Sequence, residues 1–277
     1  MNRDYDLVTG GAGFIGSHLA AGLLTRGRKV IILDNFSSGK IENINGLAEE
    51  YEGRLEIVDG DIRDQALCAE LAGKSEVVYH LAAIPSVKYS VDFPEEVNSV
   101  NVGGTLSVFQ AARRAGVKTV VFASSCAIYG DSENLPLAEE EPPRPMSPYA
   151  VSKLTDELYS RVFSEVYGFS STALRFFNVF GPRQDPSSDY AAVIPRFVTR
   201  MLAGQPPVIF GDGEQSRDFI YVENVVSANI AAAEAAGKGI RVNIGTGRSR
   251  TLNQIVEILN DLLGTRFNLI TRTPDPE

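Results

Sequence analysis

Tyr149 and Lys153 lie one helical turn apart, behind Ser147 and Pro148, which are typical of a helix N-cap and its first residue. Residues i and i+4 share a helix face, so the lysine ammonium can stand beside the tyrosine hydroxyl. A nearby cation and a positive helix N-terminus both favour tyrosinate, so we expect the pKa of Tyr149 to lie below its ordinary value of ~10. The pair therefore predicts a tyrosine base, although this spacing also occurs in ordinary surface pairs.

Composition excludes several classes of function. The 277 residues are 44% hydrophobic and 22% charged, as in globular proteins, and the net charge of −9 disfavours a nucleic-acid partner. Cys68 and Cys126 form no C-x-x-C motif, and His18 and His80 lie in apolar surroundings, so neither a metal site nor a hydrolytic triad is expected. Without a long apolar run or signal-peptide pattern, we expect a cytoplasmic protein with no membrane partner.

Short apolar runs alternate with helical patterns in the first half of the chain. The predicted strands are Asp6–Thr9, Lys29–Leu33, Leu55–Val58, Val77–His80 and Thr119–Ala123. Helical spacing connects them, from Ile15 to Gly27 and again over Val102–Ala115. This alternation predicts an α/β fold with a Rossmann-type doubly wound parallel sheet.

The sequence pattern changes after Asn178, where clusters of glycine, proline and polar residues interrupt the alternation of strands and helices. We therefore predict a Rossmann domain over 1–180 and a smaller C-terminal α/β substrate domain over 181–277, partly interleaved with the first. A proline-rich acidic loop over 135–146 leads into the Tyr149 helix.

A glycine-rich turn follows the first predicted strand. Gly10, Gly13 and Gly16 permit a tight turn, close approach of a pyrophosphate and tight packing of the next helix, whose N-terminus donates N–H groups. Asp34 ends the second strand, where a carboxylate can accept hydrogen bonds from adenosine ribose hydroxyls and repel a 2′-phosphate. NAD is therefore favoured over NADP, although Asp34 could also be an ordinary loop residue.

Two later strand ends extend this predicted cofactor site. Asp61 and Ile62 follow the third strand and could flank an adenine. The fourth strand ends in Leu81, Ala82 and Ala83, whose small side chains suit a backbone that passes close to a cofactor.

The glycine turn, Ser124-Ser125 and Tyr149/Lys153, in this order, resemble the extended short-chain dehydrogenase/reductases, and within them the nucleotide-sugar 4-epimerases. Three downstream stretches add to the likeness: RFFNVFGPRQDP (175–186), YAAVIP (190–195) and GDGEQSRDF (211–219). They are most similar to epimerases of UDP-N-acetylglucosamine and UDP-N-acetylgalactosamine. The resemblance covers essentially the whole chain and implies a tightly bound NAD, a UDP-sugar substrate and a homodimer paired through the helices after Val102 and Ser147.

The resemblance also implies a reaction. Tyr149 would remove the proton of the sugar 4-hydroxyl while the C4 hydride passes to NAD; the 4-keto sugar would turn over and regain the hydride on its other face. Lys153 would hold the nicotinamide ribose and acidify Tyr149. Ser125 would hydrogen-bond the reacting hydroxyl and relay its proton, with Ser124 in a supporting role.

Residue reasoning and the resemblance together give two sets of predicted contacts. The cofactor set is Gly10, Gly13, Phe14, Ile15, Gly16, Asp34, Asn35, Ser38, Gly39, Asp61, Ile62, Leu81, Ala82, Ala83, Asn101, Ser124, Tyr149, Lys153, Phe176 and Val179. The substrate set is Ser86, Ser125, Tyr149, Asn178, Ala192, Val193, Phe210 and Arg217. A guanidinium at Arg217 suits a diphosphate, although a surface salt bridge is the simpler alternative.

The two residues after Ser125 discriminate between related reactions. Sugar 4,6-dehydratases carry an Asp-Glu pair there, whereas this chain has Cys126 and Ala127, and alanine transfers no proton. The same missing glutamate weakens a UDP-glucuronate decarboxylase. Cys126 is expected to be a small packed residue rather than an acid.

Several alternatives stay open at this point. UDP-glucose and UDP-galactose are possible substrates, and a UDP-glucuronate 4-epimerase, a dehydratase or a non-catalytic dinucleotide-binding sensor are rival functions. Ser86 and Ala192 favour an N-acetyl group, but Pro85 replaces an expected glycine. By the resemblance, a further gatekeeper and a second diphosphate arginine are expected beyond residue 277.

Overall fold

The structure, a computed structural model, describes residues 3–186 and 193–272. Its contacts form two units, Met1–Phe176 with Val222–Ile244, and Phe177–Tyr221 with Gly245–Glu277. The first unit therefore includes residues 222–244, which follow the predicted boundary at residue 180. Residues 177–180, which precede that boundary, belong to the second unit. None of the helices among the described residues has the length and the apolar composition that a membrane span requires.

A seven-stranded parallel sheet forms the centre of the first unit, as the alternating pattern predicted. Its strands are β1 (Tyr5–Thr9), β2 (Lys29–Asp34), β3 (Leu55–Asp59), β4 (Ser75–His80), β5 (Thr119–Ser125), β6 (Ser171–Phe176) and β10 (Lys238–Ile244). Their order is β10-β6-β5-β4-β1-β2-β3, and all pairs are parallel. The five predicted strands lie within a residue or two of these bounds. Parallel strands covered on both faces read as continuous apolar runs, which explains why they were recognisable.

Helices connect the strands of this sheet. They are α1 (Phe14–Thr25), α2 (Asn45–Glu50), α3 (Gln65–Lys74), α4 (Val87–Asp92), α5 (Pro94–Asn98), α6 (Thr105–Ala115), α7 (Pro148–Tyr167) and α9 (Val222–Ala235). A π-helical segment, Ser99–Gly104, precedes α6. The first residues of the helix predicted over 102–115 therefore lie in this π-helical segment, and the α-helix itself begins at Thr105. The core contains Ile31, Val78 and Val120 from the sheet, with Phe109 and Phe163 packed against it.

The second unit contains two helices and two small sheets. The helices are α8 (Val193–Leu202) and α10 (Leu252–Leu263), and the strands are β7 (Asn178–Phe180), β8 (Val208–Phe210), β9 (Ser216–Tyr221), β11 (Ser249–Thr251) and β12 (Ile270–Arg272). One sheet has the order β11-β9-β7, and β12 pairs with β8 in the other. Phe197, Ile209 and Val256 form its core.

Candidate active site

The start of α7 places Tyr149 and Lys153 as the sequence predicted. Ser147 is the N-cap, its hydroxyl accepts a hydrogen bond from the Ala150 N–H at 3.1 Å, and Pro148 opens the helix. The Tyr149 N–H donates to the Ser90 hydroxyl at 3.0 Å, which fixes the first turn against α4. Tyr149 is 9% exposed and Lys153 is 3% exposed, so the pair is buried rather than an ordinary surface pair.

Ser125 lies at the end of β5 and shares a hydrogen bond with the Tyr149 side chain. Its hydroxyl also accepts from the Ala127 N–H at 3.1 Å, and this leaves its proton for the tyrosine oxygen. The structure therefore brings together two of the three predicted catalytic residues through a direct contact. The third, Lys153, shares the helix with Tyr149.

The expected lowering of the Tyr149 pKa is wrong in this structure. The pKa of Tyr149 is raised to about 12, chiefly by burial, and the charges of Cys126 and Asp156 contribute to this rise. The hydrogen bond from Ser125 lowers it, but by less. Burial disfavours the charged form of any group, and a sequence pattern of two residues does not show how deeply they are buried.

Lys153 is likewise governed by burial. Desolvation lowers the pKa of its ammonium group, while the carboxylate of Asp156 raises it. The Lys153 Nζ lies 3.7 Å from Asp156 Oδ2. Asp156 was not among the predicted residues, although an acid three residues after a helical lysine is a signal that could have found it.

The glycine turn packs so closely against neighbouring backbone that no side chain fits at two of its positions. A Cβ on Gly10 would lie 2.7 Å from the Ala82 nitrogen, and one on Gly16 would overlap the Gly10 carbonyl. The Gly10 φ of +69° also favours glycine. Phe14 and Ile15 open α1, so its first N–H groups lie at this turn.

Asp34 ends β2 and is tied to the same turn. Its Oδ2 accepts from the Ala12 N–H and its Oδ1 from the Phe36 N–H, both at 2.9 Å. Each oxygen keeps a second lone pair for a ribose hydroxyl. Burial raises the pKa of this carboxyl. Gly39 lies against Asp34, because a Cβ there would come within 2.7 Å of Oδ1. These residues fit the adenosine end of a dinucleotide.

The residues predicted beside the adenine have partners of their own. Arg63 pairs with Asp61, with Nη2 at 2.6 Å from Oδ2, and lowers the pKa of that carboxyl to about 2. Asn35 donates to the same oxygen at 3.2 Å. Ile62 is buried in the core of the first unit, and Ser38 is exposed in the loop after β2. Asp61 is therefore ionised and held by a salt bridge at the carboxyl end of β3.

The strand end at residues 81–83 is fixed by hydrogen bonds. The Leu81 N–H donates to the Thr9 carbonyl at 3.1 Å, and the Ala82 N–H to the Thr9 hydroxyl at 3.3 Å. Asn101 is fully buried; it accepts from the Ile84 N–H and donates to the Ser152 hydroxyl at 3.0 Å. Asn101 thus connects the loop after β4, which contains Ala83, to helix α7.

A buried network that sequence reasoning missed supports this arrangement. Glu157 forms a two-point ion pair with Arg175, at 2.9 and 2.7 Å, and both side chains are 1% exposed. The Ser124 hydroxyl donates to Glu157 at 2.6 Å. Arg175 also donates to the Tyr129 hydroxyl at 2.6 Å, which in turn donates to Asn243. Ser124, predicted to contact the cofactor, lies in this network.

The second unit holds a cavity of about 280 Å³ lined by several predicted substrate residues. Asn178, Val193 and Arg217 line it together with Val179. Asn178 donates to the Asp218 carbonyl at 3.2 Å. An adjacent cavity of about 360 Å³ is lined by α8 and β8. The unit therefore offers a cationic side chain at the wall of a largely apolar cavity.

The other predicted residues lie as follows. Ser86 caps α4, where its hydroxyl accepts from the Tyr89 N–H at 3.0 Å. Phe176 is buried at the end of β6, and Phe210 is the last residue of β8. Ala192 lies outside the described residues. In the parts of the chain that the structure describes, no cluster of His, Cys, Asp or Glu could hold a metal ion.

Comparison with known proteins decides the family. A model of the NAD dependent epimerase/dehydratase family matches residues 7–245. The chain belongs to this family. It is 44% identical over 243 residues to a UDP-glucose 4-epimerase of Mycolicibacterium smegmatis, and the aligned part covers 87% of this chain and 77% of that relative. The predicted family and the Rossmann-type fold are thus confirmed.

Two solved structures are especially similar. One is a UDP-N-acetylglucosamine 4-epimerase from Methanobrevibacter ruminantium M1 in complex with UDP-N-acetylmuramic acid, with a TM-score of 0.93 and 44% identity over 100% of this chain and 87% of that one. The other is a UDP-glucose 4-epimerase from Thermotoga maritima with UDP-glucose, with a TM-score of 0.91 and 40% identity over 98% and 86% of the two chains. Within the epimerase/dehydratase family, these similar structures are UDP-sugar 4-epimerases, and a dTDP-glucose 4,6-dehydratase from Streptomyces venezuelae is also similar, with a TM-score of 0.85 and 33% identity over 96% of this chain and 84% of that one.

Proposed function

We propose that the protein interconverts the C4 epimers of a UDP-hexose with a tightly bound NAD, and that UDP-N-acetylglucosamine and UDP-N-acetylgalactosamine are its preferred substrates. UDP-glucose and UDP-galactose are the second candidates, because relatives of both kinds are similar to this chain. The observation that carries the proposal is the hydrogen-bonded pair of Ser125 and Tyr149, followed by Ala127 where elimination would need a base.

NAD, when bound, would accept a hydride from C4 of the sugar and return it to the opposite face. The residues of this chain move the proton and hold the ligands. Tyr149 removes the 4-hydroxyl proton, which Ser125 relays through the hydrogen bond they share. The proton returns along the same route when the hydride returns. Lys153 would hold the nicotinamide ribose, and its buried positive charge would oppose the rise that burial causes in the pKa of Tyr149.

Elimination of water from the sugar needs an acid at C6 and a base at C5. At the positions that carry this Asp-Glu pair in dehydratases, the chain has Cys126 and Ala127, and the Ala127 N–H is used to fix Ser125. Oxidation at C4 is therefore reversed rather than followed by loss of water. This supports an epimerase over a dehydratase.

The second unit supplies the groups for the uridine diphosphate. Arg217 and Asn178 line its cavity, and a guanidinium forms charge-assisted hydrogen bonds with phosphate oxygens. The register of β9 and β11 places Arg250 opposite Arg217. Like charges at facing positions repel each other, and a bound diphosphate would relieve that repulsion. Val193 borders the uridine in this proposal.

The test uses purified protein without added NAD, incubated with UDP-N-acetylglucosamine, with UDP-glucose and with UDP-glucuronate. We expect UDP-N-acetylgalactosamine to form fastest, measured by proton NMR. Absence of a C4 epimer from both UDP-N-acetylglucosamine and UDP-glucose would sink the proposal, and epimerisation of UDP-glucuronate alone would indicate a UDP-glucuronate 4-epimerase. Accumulation of a keto sugar would indicate a dehydratase or an oxidoreductase instead, and a Tyr149→Phe variant that binds NAD and loses no function would indicate a sensor.

We also propose a homodimer paired through α7. Val151, Leu158, Val162 and Val166 are 48–63% exposed and lie along one side of this helix. The buried residues of α6 leave it no comparable apolar stripe in the described structure. Light scattering after chromatography should give twice the chain mass for the wild type and the chain mass for Val162→Glu. The same mass for both proteins would contradict this pairing.

A further inference from the structure

Lys153 has a buried acidic neighbour that the reaction outlined above does not use. Asp156 is 1% exposed and lies on the same helix, with its Oδ2 3.7 Å from the Lys153 Nζ. Neither carboxylate oxygen of Asp156 has a hydrogen-bond partner among the described residues. A buried carboxylate in this condition costs stability, and a buried ion pair returns little of that cost unless its hydrogen bonds are complete. Stability alone therefore does not account for an aspartate here.

The surrounding groups leave Asp156 as the counter-charge for Lys153. Glu157, next along α7, is occupied by Arg175. His80 of β4 has its Nδ1 2.7 Å from the Thr9 hydroxyl and its Nε2 2.9 Å from the Thr105 hydroxyl. Burial and, to a smaller degree, the charge of Lys153 together lower the pKa of His80 to about 3, so this ring is neutral.

Thr105 on α6 completes the surroundings. Its hydroxyl donates to the Asn101 carbonyl and also lies near the Asp156 carboxyl. Tyr149, one turn earlier on α7, has its pKa raised in part by the Asp156 charge. The charge on Asp156 is therefore coupled to both members of the Tyr149/Lys153 pair.

We propose that Asp156 is a positioning residue that keeps the buried Lys153 protonated and held in place for its role beside Tyr149. This inference rests on the proposed epimerase function. It follows from the opposing effects on Lys153: burial drives the ammonium towards its neutral form, and the Asp156 carboxylate opposes this. Burial raises the pKa of Asp156 and outweighs the lowering by the Lys153 ammonium and the Thr105 hydroxyl, so that the pKa lies at about 7. The two groups therefore titrate as a coupled pair.

The decisive variant is Asp156→Asn, which keeps the shape of the side chain and removes its charge. Lys153 then has no counter-charge, so its pKa falls, and the alkaline limb of the kcat profile should move down by at least one pH unit. At pH 8.5 kcat should fall about tenfold or more, while KM for the UDP-sugar stays within about twofold. A wild-type profile in this variant would overturn the inference.

A matched control separates this effect from a loss of packing. Ser160→Ala removes another buried polar group from α7, one whose hydroxyl lies 2.7 Å from that of Ser171. We expect Ser160→Ala to lower the melting temperature and to leave the pH profile unchanged. An equal shift of the profile in both variants would mean that Asp156 has only a structural role.

A second measurement needs neither the variant nor a substrate. In wild-type protein with 13C-labelled aspartate, one carboxyl should titrate well above the ordinary aspartate range, and Lys153→Met should raise that pKa further by at least one unit. Absence of such a carboxyl, or of its response to Lys153→Met, would overturn the inference even if Asp156→Asn does not fold. Failure of the wild type to epimerise any UDP-sugar sinks the proposed function instead, because this titration is read without turnover.

Discussion

At Tyr149, a buried phenol shares a hydrogen bond with the Ser125 hydroxyl, and burial raises its pKa to about 12. Replacing Tyr149 by phenylalanine keeps the ring and removes only this hydroxyl. Because general acid–base catalysis contributes about 10²–10⁴ in rate, kcat should fall by about a hundredfold or more. Steady-state kinetics with the preferred UDP-sugar measures this loss.

The control for this variant is Tyr159→Phe on the same helix. Tyr159 is 37% exposed, so loss of its hydroxyl should leave kcat within about twofold. A Tyr149→Phe enzyme that retains more than a tenth of wild-type activity would contradict the role of Tyr149 as the base.

Sequence spacing identified some residues of the site and could not identify others. Tyr149 and Lys153 were recognisable because one helical turn relates them. Arg175 and Glu157 were not, because β6 meets α7 only in the folded chain, and an isolated arginine and glutamate carry no local signal. The direction of the Tyr149 pKa was missed for a related reason, since burial depends on every element that covers the residue.

Among the contacts between helices and strands, the ion pair of Glu157 and Arg175 connects α7 to β6. The Ser124 hydroxyl, which donates to Glu157, connects β5 to the same pair. Glu157→Gln leaves the Arg175 guanidinium buried without its counter-charge. Breaking one side of a buried pair typically costs about 3–5 kcal/mol. We therefore expect a free energy of unfolding lower by about that amount, measured by urea denaturation, with a smaller kcat because Ser125 follows Ser124 directly.

Glu165→Gln provides the matched comparison on the same helix. Glu165 pairs with Arg161 at 2.8 Å, but both side chains are at least 60% exposed. Exposed pairs contribute little to stability, so this variant should unfold at nearly the wild-type urea concentration. Equal losses in the two variants would show that the buried network does not hold α7.

For the molecule as a whole, the central sheet was predictable and the path of the chain was not. Strands β1 to β5 read as apolar runs between helical patterns, which is what parallel strands buried on both faces require. β10 pairs with β6 although the second unit intervenes in sequence, and no local pattern encodes that return. β7, β8, β11 and β12 have three residues each, too short for a period to be seen.

Two buried groups of the first unit make its stability depend on pH in opposite directions. His80 has a pKa of about 3 in the fold against ~6.5 when unfolded, so its contribution is present above pH ~6.5 and is lost as pH falls towards 3. Asp156 has a pKa of about 7 against ~3.9, so its contribution is present below pH ~4 and is lost as pH rises through 7. Between pH 4 and 6.5 the two slopes oppose each other.

Asp156→Asn removes the pH dependence of stability that Asp156 contributes and leaves the one that His80 contributes. From pH 6.5 to 4.5, the free energy of unfolding of the variant should therefore fall relative to wild type by up to about 1.4 kcal/mol per pH unit, since the difference is one proton. Urea denaturation at several pH values measures it, and Asp261→Asn, at an exposed position of α10, should show a constant difference. A constant difference for Asp156→Asn as well would mean that this carboxyl is already ionised throughout the range, and that its burial does not govern its charge.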